Sequence, residues 1–226
     1  MGLCSAGTPV AAALNDASTA ARPADCPVRF VPQADLPAGE AYEAFIHRSG
    51  QVPTRDNLHD AFNGLMWLAQ PALKQRLNQL QAAELVAHGV SGQRGSVRDA
   101  LTLFDENGAL LQAPAVLMQA LRQRDWHGLF ITHRACWADA RMTIFGHALL
   151  EKLAVAPRKA LTAHVLLCDA PLALTADGWA SKPFAPLPVL GVPLWWPGND
   201  DPAFYADAAV FRPHRTQAGK KPSIDR

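Results

Sequence analysis

Residues 143 to 152 read TIFGHALLEK, an almost wholly apolar stretch that carries one imidazole and one carboxylate. On a helix, His147 and Glu151 stand one turn apart on the same face, where they could share a metal ion or a proton. Two chemistries fit that spacing. Either the pair belongs to a divalent-metal or acid–base site, or Glu151 accepts the His147 proton and both groups are satisfied inside a core helix. His164, in the apolar run ALTAHVLLC, separates the two. Convergence of His147, Glu151 and His164 makes a metal set, whereas the pair alone is packing.

A second candidate lies earlier, in LHDAFNG. His59 and Asp60 are the adjacent imidazole and carboxylate with which one class of metal phosphohydrolases reaches divalent ions. That class also needs a separate upstream histidine, and His47 is too close to His59 to begin a ligand helix of its own. The alternative for His59 and Asn63 is a hydrogen bond across a helix pair. The catalytic candidates are therefore His59, Asp60, His147, Glu151 and His164, with a divalent metal expected at His147, Glu151 and His164. Glu84, Arg98, Asp99, Asp105 and Glu106 are further polar groups near predicted helix ends and turns.

Other chemistries lack their motifs. HExxH and GxSxG are absent, and Cys4, Cys26, Cys136 and Cys168 form no CxxC. The glycine-rich turn VSGQRGSVRD has no lysine at the phosphate-loop position, so Ser96 and Asp99 read as a capping box.

The elements that must position these residues follow from periodicity and punctuation. A helix is expected over residues 40–48, stopped by Gly50, and another after the N-cap Asn57, with Leu58, Phe62, Leu65 and Ala69 at helical spacing. Pro71 opens the next helix and Gly89 closes it. Asn107-Gly108, between two short apolar runs, predicts a tight hairpin. A helix follows Pro114 to about Arg124, residues 127–142 carry no clear period, and residues 143–153 read as a helix. ALTAHVLLC reads as a buried strand with Leu161, Ala163, Val165 and Leu167 on one side and His164 on the other. From Lys182 onward the proline spacing argues against regular structure, and Trp195 and Trp196 pin the segment down as a wrap.

Bulk composition narrows the function classes. The chain has 226 residues, 49% of them apolar and 18% charged, which suits one sizeable core. Lys plus Arg numbers 21 against 20 Asp plus Glu, so no net charge draws it to nucleic acid or to an anionic membrane. No run of about 18 apolar residues predicts a membrane span. Widely spaced cysteines and the lack of a basic, apolar leader suit the cytoplasm.

Several phrases in fixed order, LHDAFNGLMWL, RDALTLFDENGAL, DWHGLF, FGHALLEKL, LTAHVLL and PLPVLGVPLWWPGNDDPAFYADAAVFRP, resemble the proteobacterial domain of unknown function family numbered 3025. The resemblance runs from about residue 28 to Pro213. It implies one bacterial domain and supplies no catalytic residues.

The combined expectation is a single α+β domain, mainly helical, with a small sheet or hairpin and a proline-rich C-terminal wrap. Residues 1–25 read as a weakly ordered arm, 26–213 as the domain and 214–226 as a disordered tail. Two functions from different classes fit. One is a bacterial hydrolase-like enzyme using a metal or a His/carboxylate site. The other is a non-catalytic protein whose His/Glu pairs are structural and whose surface takes a small molecule or protein partner.

Overall fold

The structure, a computed structural model, describes residues 7–21, 27–89 and 95–213. It is α+β and mainly helical. Helix α1 spans Val10–Ala21 and leads to strand β1, Arg29–Pro32. Helix α2 (Tyr42–Ser49) ends on Gly50, whose φ of 67° is the left-handed conformation that suits glycine at a helix stop. Strand β2, Gln51–Thr54, then pairs in parallel with β1, Phe30 opposite Val52. Three helices follow: α3 (Leu58–Ala69), α4 (Pro71–His88) and α5 (Ser96–Asn107).

The larger sheet has the order β4-β3-β5-β6. Its strands are β3 (Gly108–Gln112), β4 (Arg141–Ile144), β5 (Thr162–Leu166) and β6 (Phe184–Pro188). β3 pairs antiparallel with β4 and parallel with β5, and β5 pairs antiparallel with β6. Helix α6 (Ala115–Gln123) connects β3 to the segment before β4, α7 (His147–Val155) connects β4 to β5, and α8 (Ala176–Ala180) precedes β6.

Three apolar clusters hold these elements. Ala163 and Val165 of β5, both fully buried, join Phe130, Trp126, Trp137 and Leu187 under the C-terminal segment. Phe104, Phe145 and Trp179 centre a second cluster between α4, α5 and α8. Leu14, Phe30, Ile46, Val52 and Trp67 form the third.

Several expectations change. Residues 10–21 are not a loose arm, because Val10, Ala11 and Leu14 pack into the third cluster, and Gly64 of α3 leaves the space that Leu14 fills. Residues 1–6 and 22–25 of the expected arm, residues 90–94 of the glycine-rich turn and residues 214–226 of the expected tail lie outside the described residues. Asn107-Gly108 makes no hairpin: Asn107 is the last residue of α5, and Gly108 starts β3 with a φ of −75°. A Cβ at Gly108 would strike Phe104, so the glycine serves close packing and not a turn. The helix expected from residue 143 starts at His147, since Arg141–Ile144 is strand.

Prolines 186 and 188 do not prevent a strand either. Val189 N–H donates to Leu161 O at 3.0 Å, so by the alternation of the pleat the prolines' nitrogens face away from β5, on the open edge of the sheet. No helix of the described residues is long and apolar enough to cross a membrane.

Candidate metal centre

Three helices bring the site together. Asn57 caps α3, its side chain accepting from the Asp60 amide at 2.8 Å, which sets the register that points His59 and Asn63 to one side. Asp60 is tied to the loop before the helix. Its carboxylate takes the Arg55 amide at 2.7 Å and the Arg55 guanidinium at 2.8 and 3.1 Å, locking the loop that enters α3.

At the start of α7, the Phe145 and Gly146 amides both donate to Gly108 O, at 3.0 and 2.9 Å. A Cβ on Gly146 would lie 2.5 Å from the backbone of Glu106 and Asn107. The missing side chain therefore lets α7 begin directly against the end of α5. That contact carries His147 to Asp105 and Glu106.

The result is a chain of polar contacts. His59 Nδ1 lies 3.1 Å from Glu151 Oε2, and His59 Nε2 lies 3.1 Å from His147 Nε2. The rings meet edge to face with centroids 4.6 Å apart. His147 Nε2 is also 3.6 Å from Glu106 Oε2, and His147 Nδ1 is 3.6 Å from Asp105 Oδ2. Asp105 is fixed from its other oxygen by Lys74 Nζ at 2.6 Å, and Lys74 donates to Asn63 Oδ1 at 2.8 Å. Ligand atoms of His59, Glu106 and His147 lie within 4.8 Å of one another, the set among the described residues that could hold a metal ion.

The hydrogen-bond partners constrain the protons. Burial, opposed by Asp105 and Glu106 and helped by Lys74 and His59, holds His147 below its usual value and so neutral, with one ring N–H. Glu151 is an acceptor, so His59 Nδ1 carries a hydrogen toward it, and in the Nδ1–H tautomer the Nε2 lone pair faces His147. If His147 donates from Nε2, its buried Nδ1 is left as a bare lone pair facing the Asp105 carboxylate, and that atom has no hydrogen-bond partner. If Nδ1 carries the hydrogen toward Asp105, two imidazole lone pairs and a carboxylate oxygen converge on one point. The second arrangement suits a cation. Two nitrogens bound to zinc at tetrahedral angles stand about 3.3 Å apart, close to the 3.1 Å found here.

The cluster opens on a cavity of about 550 Å³, within the range of small-molecule sites. Tyr42, Glu43, Gln81, Arg98 and Thr102 are among its other polar lining residues. The Tyr42 hydroxyl accepts from Asn63 Nδ2 at 3.1 Å, and burial raises its pKa. Burial also pushes the Glu43 carboxyl above its usual range, although Asn78 Nδ2 donates to it at 2.6 Å.

The structure thus joins His59, His147 and Glu151, although in a different way from the one expected. Glu151 faces His59 of another helix and not His147 of its own. His164 does not join them. It projects from the opposite face of β5 to Ala163 and Val165, its ring lies edge to face with Phe184, and it does not line the cavity. Asp60 lines the cavity but is committed to Arg55. Glu106 is not among the ligands expected from sequence, where Asn107-Gly108 predicts a hairpin rather than the end of α5. Continuing the α5 period through Asp105 and Glu106 would have placed both on the helix.

Fold and geometry together define an α+β protein with a two-histidine, one-glutamate cluster at the floor of a polar cavity. The chain belongs to the DUF3025 family, described as protein of unknown function, whose model matches residues 28–180 and 170–215. Comparison with curated proteins and with solved structures returns no match.

Proposed function

We propose that the protein is a metal-dependent hydrolase whose divalent ion, best matched by zinc, is held by His59, His147 and Glu106. The observation that carries this reading is the convergence of both Nε2 atoms and Glu106 Oε2, with each distal Nδ1 turned to a carboxylate. Two histidines and one glutamate are a known catalytic zinc set that leaves a position open. Glu151 and Asp105 act as the outer carboxylates that orient the rings and raise their basicity.

A bound ion would supply Lewis acidity and a water of lowered pKa. The chain's own groups do the rest. Tyr42, held by Asn63, lines the cavity with Arg98 and can hydrogen-bond a polarised carbonyl or phosphoryl oxygen. Asp60 is a positioning residue that fixes the entry to α3 through Arg55. His164 takes no part.

The test is metal analysis of protein purified without an affinity tag and dialysed against zinc. One ion per chain is expected in the wild type and none in His147→Ala. Glu151→Gln should bind zinc about 10- to 100-fold more weakly, the usual effect of losing an outer-shell partner, with an unchanged melting temperature. Failure of the wild type to bind one ion overturns the reading and leaves the cluster as the structural His/Glu contact of a non-catalytic protein.

A further inference from the structure

The cations around the cavity are not equivalent. Arg55 is paired with Asp60 and Lys74 with Asp105, so each is neutralised where it stands. Arg98 also lines the cavity, but among the described residues it has no ion-pair partner, and its buried Nε has no hydrogen-bond partner. Glu43, the carboxyl whose charge Arg98 feels, is turned to the Asn78 amide instead. A buried guanidinium donor left unmade is costly in a folded protein, and an oxyanion with two acceptor oxygens fits its planar fork.

Position adds a second constraint. Arg98, Thr102 and Glu106 follow at intervals of four residues on α5 and all face the cavity. Eight residues of helix rise about 12 Å, so Arg98 lies two turns from the Glu106 end. Thr102, which accepts from Gln81 Nε2 at 3.3 Å, sits between them. Asp105 and Glu106 at the floor repel a free anion there, which leaves the Arg98 end to receive it.

We infer that the cavity takes a substrate bearing an anionic oxygen group, a carboxylate or a phosphate, seated on Arg98 several bonds away from the group that reacts at the histidine cluster. This rests on the metal-centre reading for the reaction but not for the anion seat. Arg98 is the specificity-determining residue.

The experiment titrates the full chain, freed of metal by chelator, with inorganic phosphate and separately with acetate, read by calorimetry. Saturable binding of at least one anion is expected. Phosphate without acetate assigns the seat to phosphoryl groups, and acetate without phosphate assigns it to carboxylates. Arg98→Gln should weaken binding about tenfold or more, and Arg98→Lys should retain part of it. Circular dichroism shows whether the Arg98 variants are folded, and their zinc stoichiometry should stay at the wild-type value. Anion binding that survives Arg98→Gln, or that is absent in the wild type, overturns the inference. A wild type that holds no zinc but binds anion through Arg98 removes the metal reading and leaves the seat in place.

Discussion

The cavity floor and the C-terminal wrap are both built from buried polar groups, but they treat them in opposite ways. In the wrap, Asn199 is fully buried and spends both side-chain hydrogens on Leu190 O and Val192 O, at 2.9 and 2.7 Å, while its oxygen accepts from Arg134. The Tyr205 hydroxyl sits 2.9 Å from Gly191 O and from Asn199 O and accepts from Arg134 at 3.0 Å. Asp200 closes the Arg134 guanidinium at 2.6 Å. In the cavity, by contrast, His147 Nδ1 at the floor and Arg98 Nε toward the other end are buried without partners. A closed network specifies one packing, whereas open valences in a cavity specify something that binds there.

The largest effect should come from attacking the closed region. Phe130 is fully buried and stacks on Trp126, Trp137 and Tyr205, with centroids 5.0 to 6.2 Å apart. Phe130→Ala should cost about 3–5 kcal/mol in urea unfolding, the usual range for truncating a buried aromatic. Its zinc stoichiometry should match the wild type wherever the protein remains folded. A loss below about 1 kcal/mol would mean that the C-terminal segment is not core and that the contrast between the regions is false.

How far each region was legible follows from the range of its determinants. α3 and α4 could be read locally, because Asn57, Pro71 and Gly89 punctuate them and their contacts repeat at helical spacing. β5 could be read because the alternate residues Leu161, just before it, and Ala163 and Val165 within it are apolar and buried. α1 could not, since its anchorage depends on the space left by Gly64, some fifty residues away. β6 was hidden because only its place at the sheet edge makes its prolines harmless. His147 and Glu151 stood out in sequence, yet their partner is His59, which comes 88 residues before His147. One-turn spacing shows which groups share a face. It does not show what that face meets.

A smaller effect should come from the residue that connects the floor to its frame. Gly146 lets α7 start against the backbone of Glu106 and Asn107, and a methyl group there meets main chain that cannot rotate aside. Gly146→Ala should cost about 1–3 kcal/mol, the usual range for overpacking. Unlike Phe130→Ala, it should also lower zinc affinity, because it separates His147 from Glu106. Titration with a zinc-competing chelator checks this. Full destabilisation with unchanged zinc affinity would show that the close approach serves packing alone.

The smallest effect concerns His164, which lies on β5 between the two regions and outside both networks. Burial alone depresses its pKa below the usual 6.5. The unfolded chain therefore takes up a proton near pH 6.5 that the folded chain still refuses. The contribution to stability is complete above that pH and is lost as pH falls from 6.5 toward the lower folded value. Urea midpoints taken between pH 8 and pH 5 should fall on the acid side, and His164→Asn should flatten part of that fall by removing less than one proton from the linkage. The difference between the two curves should be the same with zinc present or chelated, because His164 does not line the cavity. A difference that vanishes on zinc loading would place His164 in the metal cluster and return the ligand set to the one expected from sequence.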